Sequence, residues 1–258
     1  MSEFGPQSFN RKKRARRNRI IKRWIITIAV VACSWWAWDY VHDPSFSFGT
    51  IKINGTRQLS EREILQISEQ GTIVNIFNLN TSKIDHVLNH DPRFVRGESR
   101  FRFPNILEIN VVERMPAIYV QDAQGHYVKI DYAGYVMSIT KGVPDDSAPI
   151  LMNEVVENIN VGEVVKNQRI LSTIKFMSGL TYEACQDFGQ VRIDKYNNLE
   201  IILKNNTKFV VGILDEIGDR GKAFLSMYEE IKSKSIDVEY VDLRFNKPYL
   251  RMKEVKKN

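Results

Sequence analysis

Residues 24–38 read Trp24-Ile-Ile-Thr-Ile-Ala-Val-Val-Ala-Cys-Ser-Trp-Trp-Ala-Trp38, fifteen positions without one charged side chain. Tyr40 and Val41 extend the run past Asp39. As a helix, residues 24–41 rise about 27 Å, against a hydrocarbon core of roughly 30 Å. Ile20 and Ile21 can add length while Lys22 and Arg23 reach outward to the headgroups. Trp24 at one end and Trp35, Trp36, Trp38 and Tyr40 at the other stand where interfacial aromatic belts form. The stretch therefore predicts one membrane-spanning helix, and it divides the chain into a short lead and a long remainder.

The lead is strongly basic. Arg11, Lys12, Lys13, Arg14, Arg16, Arg17, Arg19, Lys22 and Arg23 are nine of the 37 Lys and Arg residues, with no acid among them. Beyond residue 23 the chain holds 28 basic and 30 acidic residues, so the formal charge of +6 belongs to the lead. A nucleic-acid-binding domain would itself be basic, which this body is not. Beside a span, the basic run sets orientation. Residues 1–23 are expected to be a cytoplasmic tail, irregular up to about residue 19, and the rest lies outside. A cleaved signal would need small residues where the run instead ends in tryptophan. Val30-Val31-Ala32-Cys33 loosely resembles a lipidation box, but the apolar run continues beyond it. Cys185, the second of two cysteines, reads as a small buried apolar residue.

Residues 46–114 form a first module. Phe46-Ser-Phe-Gly-Thr-Ile-Lys-Ile53 alternates as a strand does, and Asn54-Gly55 is a turn signal. Ser60-Glu-Arg-Glu63 fits a capping box, opening a helix with Ile64, Leu65 and Ile67 inward. A second helix starts at Thr81 or Ser82, carries Ile84, Val87 and Leu88, and ends at Asp91-Pro92. Phe94–Phe103 and Ile106–Glu113 are extended runs around a Pro104-Asn105 turn. The order β-α-α-β-β suits a small sheet under two helices. His86 and His90 are spaced to share a metal, but the pattern has neither the adjacent Glu of a zinc protease nor an evident third ligand, so a solvated face is expected. Glu113-Arg114 reads as a surface pair.

Residues 117–251 form a second, β-rich module with flanking helices. Ala117–Gln121, Tyr127–Asp131 and Tyr135–Ile139 read as short strands, then Gln168–Leu180 as a helix. Phe188–Asp194, Leu199–Lys204 and Lys208–Gly212 are strands separated by Tyr196-Asn197-Asn198 and Asn205-Asn206 turns. Lys222–Lys232 is a helix and Val238–Phe245 the final strand. Beyond Pro248 the chain is expected to fray, with 252–258 a disordered tail. The fold class is thus α+β, preceded by a transmembrane helix.

Read together, these pieces resemble the bacterial cell-division family called FtsQ in some bacteria and DivIB in others. The resemblance covers nearly all of residues 20–251. The first module, from FGTIKINGTRQLSEREI through PNILEINVVERMP, looks like the family's POTRA domain. Ile130-Asp131-Tyr-Ala-Gly134-Tyr-Val136 is similar to its D-x-x-G hairpin. Val210-Val-Gly212 followed by Lys222 is similar to the glycine and lysine ahead of its last helix, and Tyr240-Val-Asp-Leu-Arg244 to its C-terminal strand. The resemblance implies a non-enzymatic divisome subunit, enriched at the septum. It implies binding to the single-pass proteins FtsB (DivIC) and FtsL and help in controlling septal peptidoglycan synthesis. It also implies that an FtsB-type partner adds a strand at the last strand, and an open sheet edge suits that chemistry. Tyr240, Asp242, Arg244, Phe245 and Lys247 are the expected partner-binding residues, with Val241 and Leu243 facing the core. The chain after Phe245 is short and basic, which leaves contacts beyond Lys247 open. No catalytic, cofactor or metal residues are expected. An envelope enzyme would show a G-x-S-x-G, an H-E-x-x-H, a phosphate loop or a Cys–His motif, and none is present. A POTRA-bearing translocation subunit, the other alternative, would carry several repeats or a barrel pattern.

Overall fold

The computed structural model describes residues 7–43, 48–71, 74, 75, 77, 79–218, 220–245 and 247–253, with side chains from residue 18 onward. Helix α1 runs from Gln7 to His42. It therefore starts well before the expected irregular lead ends, because Lys and Arg are good helix formers and no Gly or Pro interrupts them. Its segment Asn18–His42 is long and apolar enough to cross a membrane. The tryptophans there stand out from the protein, Trp35 at 70% and Trp36 at 67% exposure, as lipid-facing side chains must. At its end Trp38 stacks on His42 and Trp36 on Tyr40.

The described residues divide into two compact units, one of 1–88 with 97–111 and one of 89–96 with 112–258. The first unit contains α1, strand β1 (Thr50–Asn54), helix α2 (Glu61–Ile67), most of helix α3 (Thr81–His90), most of β2 (Phe94–Arg102) and most of β3 (Ile106–Glu113). The β-α-α-β-β order is the expected one. The strands lie in the order β1-β3-β2, with β1 parallel to β3 from Thr50↔Ile106 to Asn54↔Asn110. The expected strand start at residues 46–47 falls outside the described residues. The capping box forms: Ser60 Oγ accepts from the Glu63 amide, and the Glu63 carboxylate accepts from the Ser60 amide at 2.8 Å. Ile64, Ile84, Leu88, Leu107 and Ile109 are fully buried between helices and sheet. Gly55, at φ +90°, makes the turn after β1, and a Cβ there would meet the Val111 carbonyl oxygen at 2.0 Å. Only glycine meets both demands.

The second unit is a nine-stranded sheet in the order β12-β11-β10-β9-β8-β7-β4-β5-β6. Its strands are β4 (Pro116–Asp122), β5 (Tyr127–Asp131), β6 (Val136–Thr140), β7 (Ile150–Val156), β8 (Phe188–Ile193), β9 (Asn198–Leu203), β10 (Lys208–Ile213), β11 (Val238–Asp242) and β12 (Tyr249–Met252). Helices α4 (Gln168–Ser178), α5 (Tyr182–Gln186) and α6 (Arg220–Ser233) pack into its core. At the centre, the Phe224 ring lies 4.8 Å from Phe209, 5.6 Å from Phe188 and 6.1 Å from Tyr228, between centroids. Such aromatic packing adds to plain area burial. Both Asn-rich turns lie where the sequence puts them, with Asn197 and Asn206 at positive φ.

Three elements depart from the sequence reading. Strand β7 and helix α5 were not expected. Strand β7 changes register on β4, from Val120↔Leu151 to Gln121↔Val155, around Asn153 at φ +67°. That bulge breaks the alternation that marks a strand. The largest departure is β12. Segment 238–245 is not the last strand. The chain turns after β11 and pairs back on it, Asp242↔Tyr249 and Val241↔Leu250, as far as Met252. Residues 254–258 of the expected tail lie outside the described residues.

Candidate partner-binding edge

The outer end of the large sheet begins with β11, which lies parallel to β10 with Phe209↔Val241 in register. Val238, Val241 and Leu243 are buried, and Val241 and Leu243, two apart, point into the core as expected. Asp242 is buried as well, 3% exposed, and its carboxylate is fully engaged. It accepts from the Tyr240 hydroxyl at 2.9 Å, the Arg244 amide at 3.0 Å, and Arg244 Nε and Nη2 at 3.0 and 2.6 Å. Burial pushes the Asp242 carboxyl up, but the hydrogen bonds from Arg244 and Tyr240 outweigh it and hold the group below its usual value. The same contact with Asp242 raises the Arg244 guanidinium, and burial followed by Asp242 raises the Tyr240 phenol.

The five expected contact residues therefore divide. Tyr240, Asp242 and Arg244 form one internally satisfied cluster that closes the end of β11. Asp242 is corrected from a partner contact to a buried structural anion, since a carboxylate with four donors on it has nothing left for a guest chain. Tyr240 keeps its hydroxyl on Asp242. Arg244 lies across Asp242 but stays 43% exposed at its side chain. Phe245, at 63%, and Lys247 stand in the turn, open to solvent.

The second correction concerns the edge itself. The outer flank of β11 is occupied by β12, so the open edge is β12. All four of its residues are exposed, with Tyr249 at 60% and Met252 at 56%. It is held by the β11 ladder and by ion pairs Arg251–Glu239 at 3.2 Å and Lys253–Asp237 at 2.8 Å. Phe245, Tyr249, Leu250 and Met252 thus give this edge an apolar surface beside unpaired backbone groups.

Arg220 was missed in the sequence. Its guanidinium donates to the Leu243 carbonyl at 2.5 Å and the Val211 carbonyl at 3.3 Å, fastening α6 to the ends of β10 and β11. Gly212, at φ +132°, leaves room for it, since a Cβ there would sit 3.3 Å from the guanidinium. The resemblance singled out Gly212 and Lys222, whereas the cation that lies against the glycine is Arg220. At the other end of the sheet, Arg114 is not a surface pair with Glu113. It bonds Asp131 at 2.8 Å and lies 3.8 Å over the Tyr135 ring, while Asp131 also accepts from the Ala133 and Tyr135 amides. The D-x-x-G motif is thus a turn held by its own carboxylate. Cys185 is buried, and burial raises its thiol to about 11.

A groove of about 540 Å³ is lined by Asp187, Tyr228 and Lys232 among other residues, a titratable cluster to weigh as an active site. Lys232 Nζ donates to Asp187 and to the Tyr228 oxygen, both at 2.8 Å, and Tyr228 also donates to Asp187. The hydrogen bond to Asp187 raises Lys232, and the hydrogen bonds from Lys232 and Tyr228 lower Asp187. Lys232 is thus held as an ammonium and Asp187 as a weakly basic carboxylate, whereas a nucleophilic amine or a general base needs the opposite shifts. Among the described residues, no three His, Cys, Asp or Glu side chains gather as a metal site. His86 and His90 are both exposed on α3.

Two family models match the chain. Residues 46–114 match the POTRA domain, FtsQ-type, and residues 118–244 match the cell division protein FtsQ/DivIB, C-terminal. The chain belongs to the FtsQ/DivIB family. Among curated relatives, cell division protein DivIB of Clostridium acetobutylicum is 25% identical over 78% of this chain and 81% of its own. Cell division protein FtsQ of Blochmanniella floridana is 22% identical over 82% and 76%. A solved structure of the major extracytoplasmic domain of DivIB from Geobacillus stearothermophilus covers 47% of this chain and 96% of its own, at 13% identity and a TM-score of 0.33. FtsQ/DivIB membership gives the chain a cell-division role. Its single N-terminal apolar helix is what a single-pass membrane member of that family would carry.

Proposed function

We propose that this FtsQ/DivIB protein is a non-catalytic, type II divisome scaffold. Its basic N-terminus stays in the cytoplasm by the positive-inside rule, and both units work outside, enriched at the septum. It binds FtsB/DivIC-type and FtsL-type single-pass proteins there and helps control septal peptidoglycan synthesis. The observation that carries this reading is β12, an edge strand with four exposed residues beside Phe245 and Lys247. A guest strand pairs with its free amides and carbonyls and rests apolar side chains on Phe245, Tyr249, Leu250 or Met252. Tyr240, Asp242 and Arg244 shape this edge from behind. Arg244, half exposed, also offers a partner carboxylate a second contact.

The test uses the full chain in nanodiscs and the extracytoplasmic segment of the partner. Met252→Glu and Phe245→Ser both change exposed side chains. Binding should drop at least tenfold in each while thermal stability stays unchanged. Undiminished binding in both would remove β12 and its turn from the partner surface. Protease accessibility in intact cells or protoplasts tests the orientation, and a fluorescent fusion tests the septal location.

A further inference from the structure

The β2–β3 turn carries Phe103 at 89% exposure, one of the most exposed large apolar side chains among the described residues. Phe101, at 48%, lies two residues before it, on the same face of β2 as Ser99. That face is covered by α3 only as far as Ser99, whose hydroxyl donates to the carbonyl of Thr81, the first residue of α3. Phe101 and Phe103 therefore project past the start of the covering helix. An apolar side chain this exposed is left open to water unless something else meets it.

The register says where this turn lies. The Thr50 amide donates to the Asn105 carbonyl at 2.8 Å, so the turn stands at the start of β1. Phe48, two residues before Thr50, bridges to Asn75. The Asn75 side-chain amide donates to the carbonyls of Val41 and Asp43 at 2.8 and 3.2 Å, at the end of the membrane helix. Phe77 closes the chain of contacts, with its ring centroid 6.2 Å from Phe48 and 6.4 Å from His42. The turn and the exit of α1 thus belong to one end of the first unit. Thr56, just past the far end of β1, is separated from the turn by the length of that strand, about 13 Å.

The geometry points to a second membrane contact: Phe103, with Phe101, enters the interface of the outer leaflet that α1 crosses. The inference rests on the reading of α1 as a transmembrane helix. An aromatic ring at headgroup depth is favourable, and the covalent tether raises the effective concentration so that one or two rings suffice. The flanking arginines have carboxylate partners of their own, Arg102 with Glu108 at 2.7 Å and Arg100 with Glu98 at 3.2 Å. The contact is therefore apolar in character. It does not require anionic lipid, and added salt leaves it in place.

The test uses full-length protein carrying Cys33→Ser, reconstituted in nanodiscs, with an environment-sensitive thiol fluorophore on Phe103→Cys. Asn105→Cys repeats the reading beside an intact Phe103, and Thr56→Cys is the reference in water. Brominated phospholipids are the quencher. All four tryptophans lie in α1, so their quenching independently reports the span. Blue-shifted, quenched labels at 103 and 105, an unquenched label at 56 and no loss in high salt support the inference. Quenched tryptophans with labels at 103 and 105 that emit like the one at 56 overturn it while α1 stays in the bilayer. Tryptophans that escape quenching overturn both readings. Labels at 103 and 105 that leave water only when a partner ectodomain is added assign the surface to a protein and also overturn it.

Discussion

Replacing Arg244 with alanine separates a structural role at the end of β11 from a role in binding. In the native protein, Arg244 Nη2 and Nε reach the buried Asp242 carboxylate at 2.6 and 3.0 Å, and the Arg244 amide adds a third contact that the substitution leaves in place. A charged hydrogen bond is worth about 1.5–3 kcal/mol. The guanidinium is 43% exposed, so solvent screening reduces the net loss to about 1–2 kcal/mol. For a unit of this size that lowers Tm by roughly 2–8 °C at pH 7. The pH dependence gives a second reading. The folded pKa of Asp242 is depressed, so its stabilisation is present above the unfolded value of about 3.9 and is lost as pH falls through the folded value. The gap between wild type and Arg244→Ala should therefore be full at pH 7 and narrow steadily once pH falls below about 4 toward the folded value. Thermal unfolding of the full chain followed by circular dichroism, together with hydrogen exchange over residues 238–253, measures both. An unchanged Tm, or a gap that does not narrow as pH falls below about 4, refutes the reasoning. Partner binding lost at full stability would show that Arg244 acts on the partner instead of on Asp242.

Gly55→Ala drives a methyl group onto the Val111 carbonyl in a left-handed conformation, and should cost more than about 2 kcal/mol, read as faster hydrogen exchange in β1 and β3. Arg220→Met leaves the Leu243 and Val211 carbonyls without their donor and should cost about 1–3 kcal/mol, with increased exchange centred on residues 210–213 and 241–245. With its thiol raised to about 11, Cys185 should resist a maleimide at pH 7.5 in the folded chain and react fully in urea, as mass spectrometry of the labelled peptide will record.

Capping and turn chemistry act within a few residues, and where they operate the sequence could be read. Ser60 and Glu63 form their box whatever surrounds them, and the asparagines at 197 and 206 take positive φ where their neighbours resist it. Strand β7 hid because its alternation breaks at Asn153, a bulge that makes sense only beside β4. Helix α5 hid because five residues are too few to show a helical period. Among the candidate site residues, Phe245 and Lys247 stand in the open, whereas the engagement of Asp242 with Tyr240 and Arg244 depends on which way each side chain turns at the end of β11.

The apolar helix, the β-α-α-β-β module, the α+β class and the family could be read from the residues alone, because unbroken hydropathy, local caps and ordered short motifs are properties of neighbouring residues. Where the sheet ends became visible only in the folded chain. Tyr249–Met252 has four residues, no buried face and no alternation to announce it. It becomes a strand because β11 offers a ladder and because Glu239 and Asp237 hold Arg251 and Lys253. A strand without a pattern of its own exists only through its partner, so a sheet edge is defined only once its neighbour is in place.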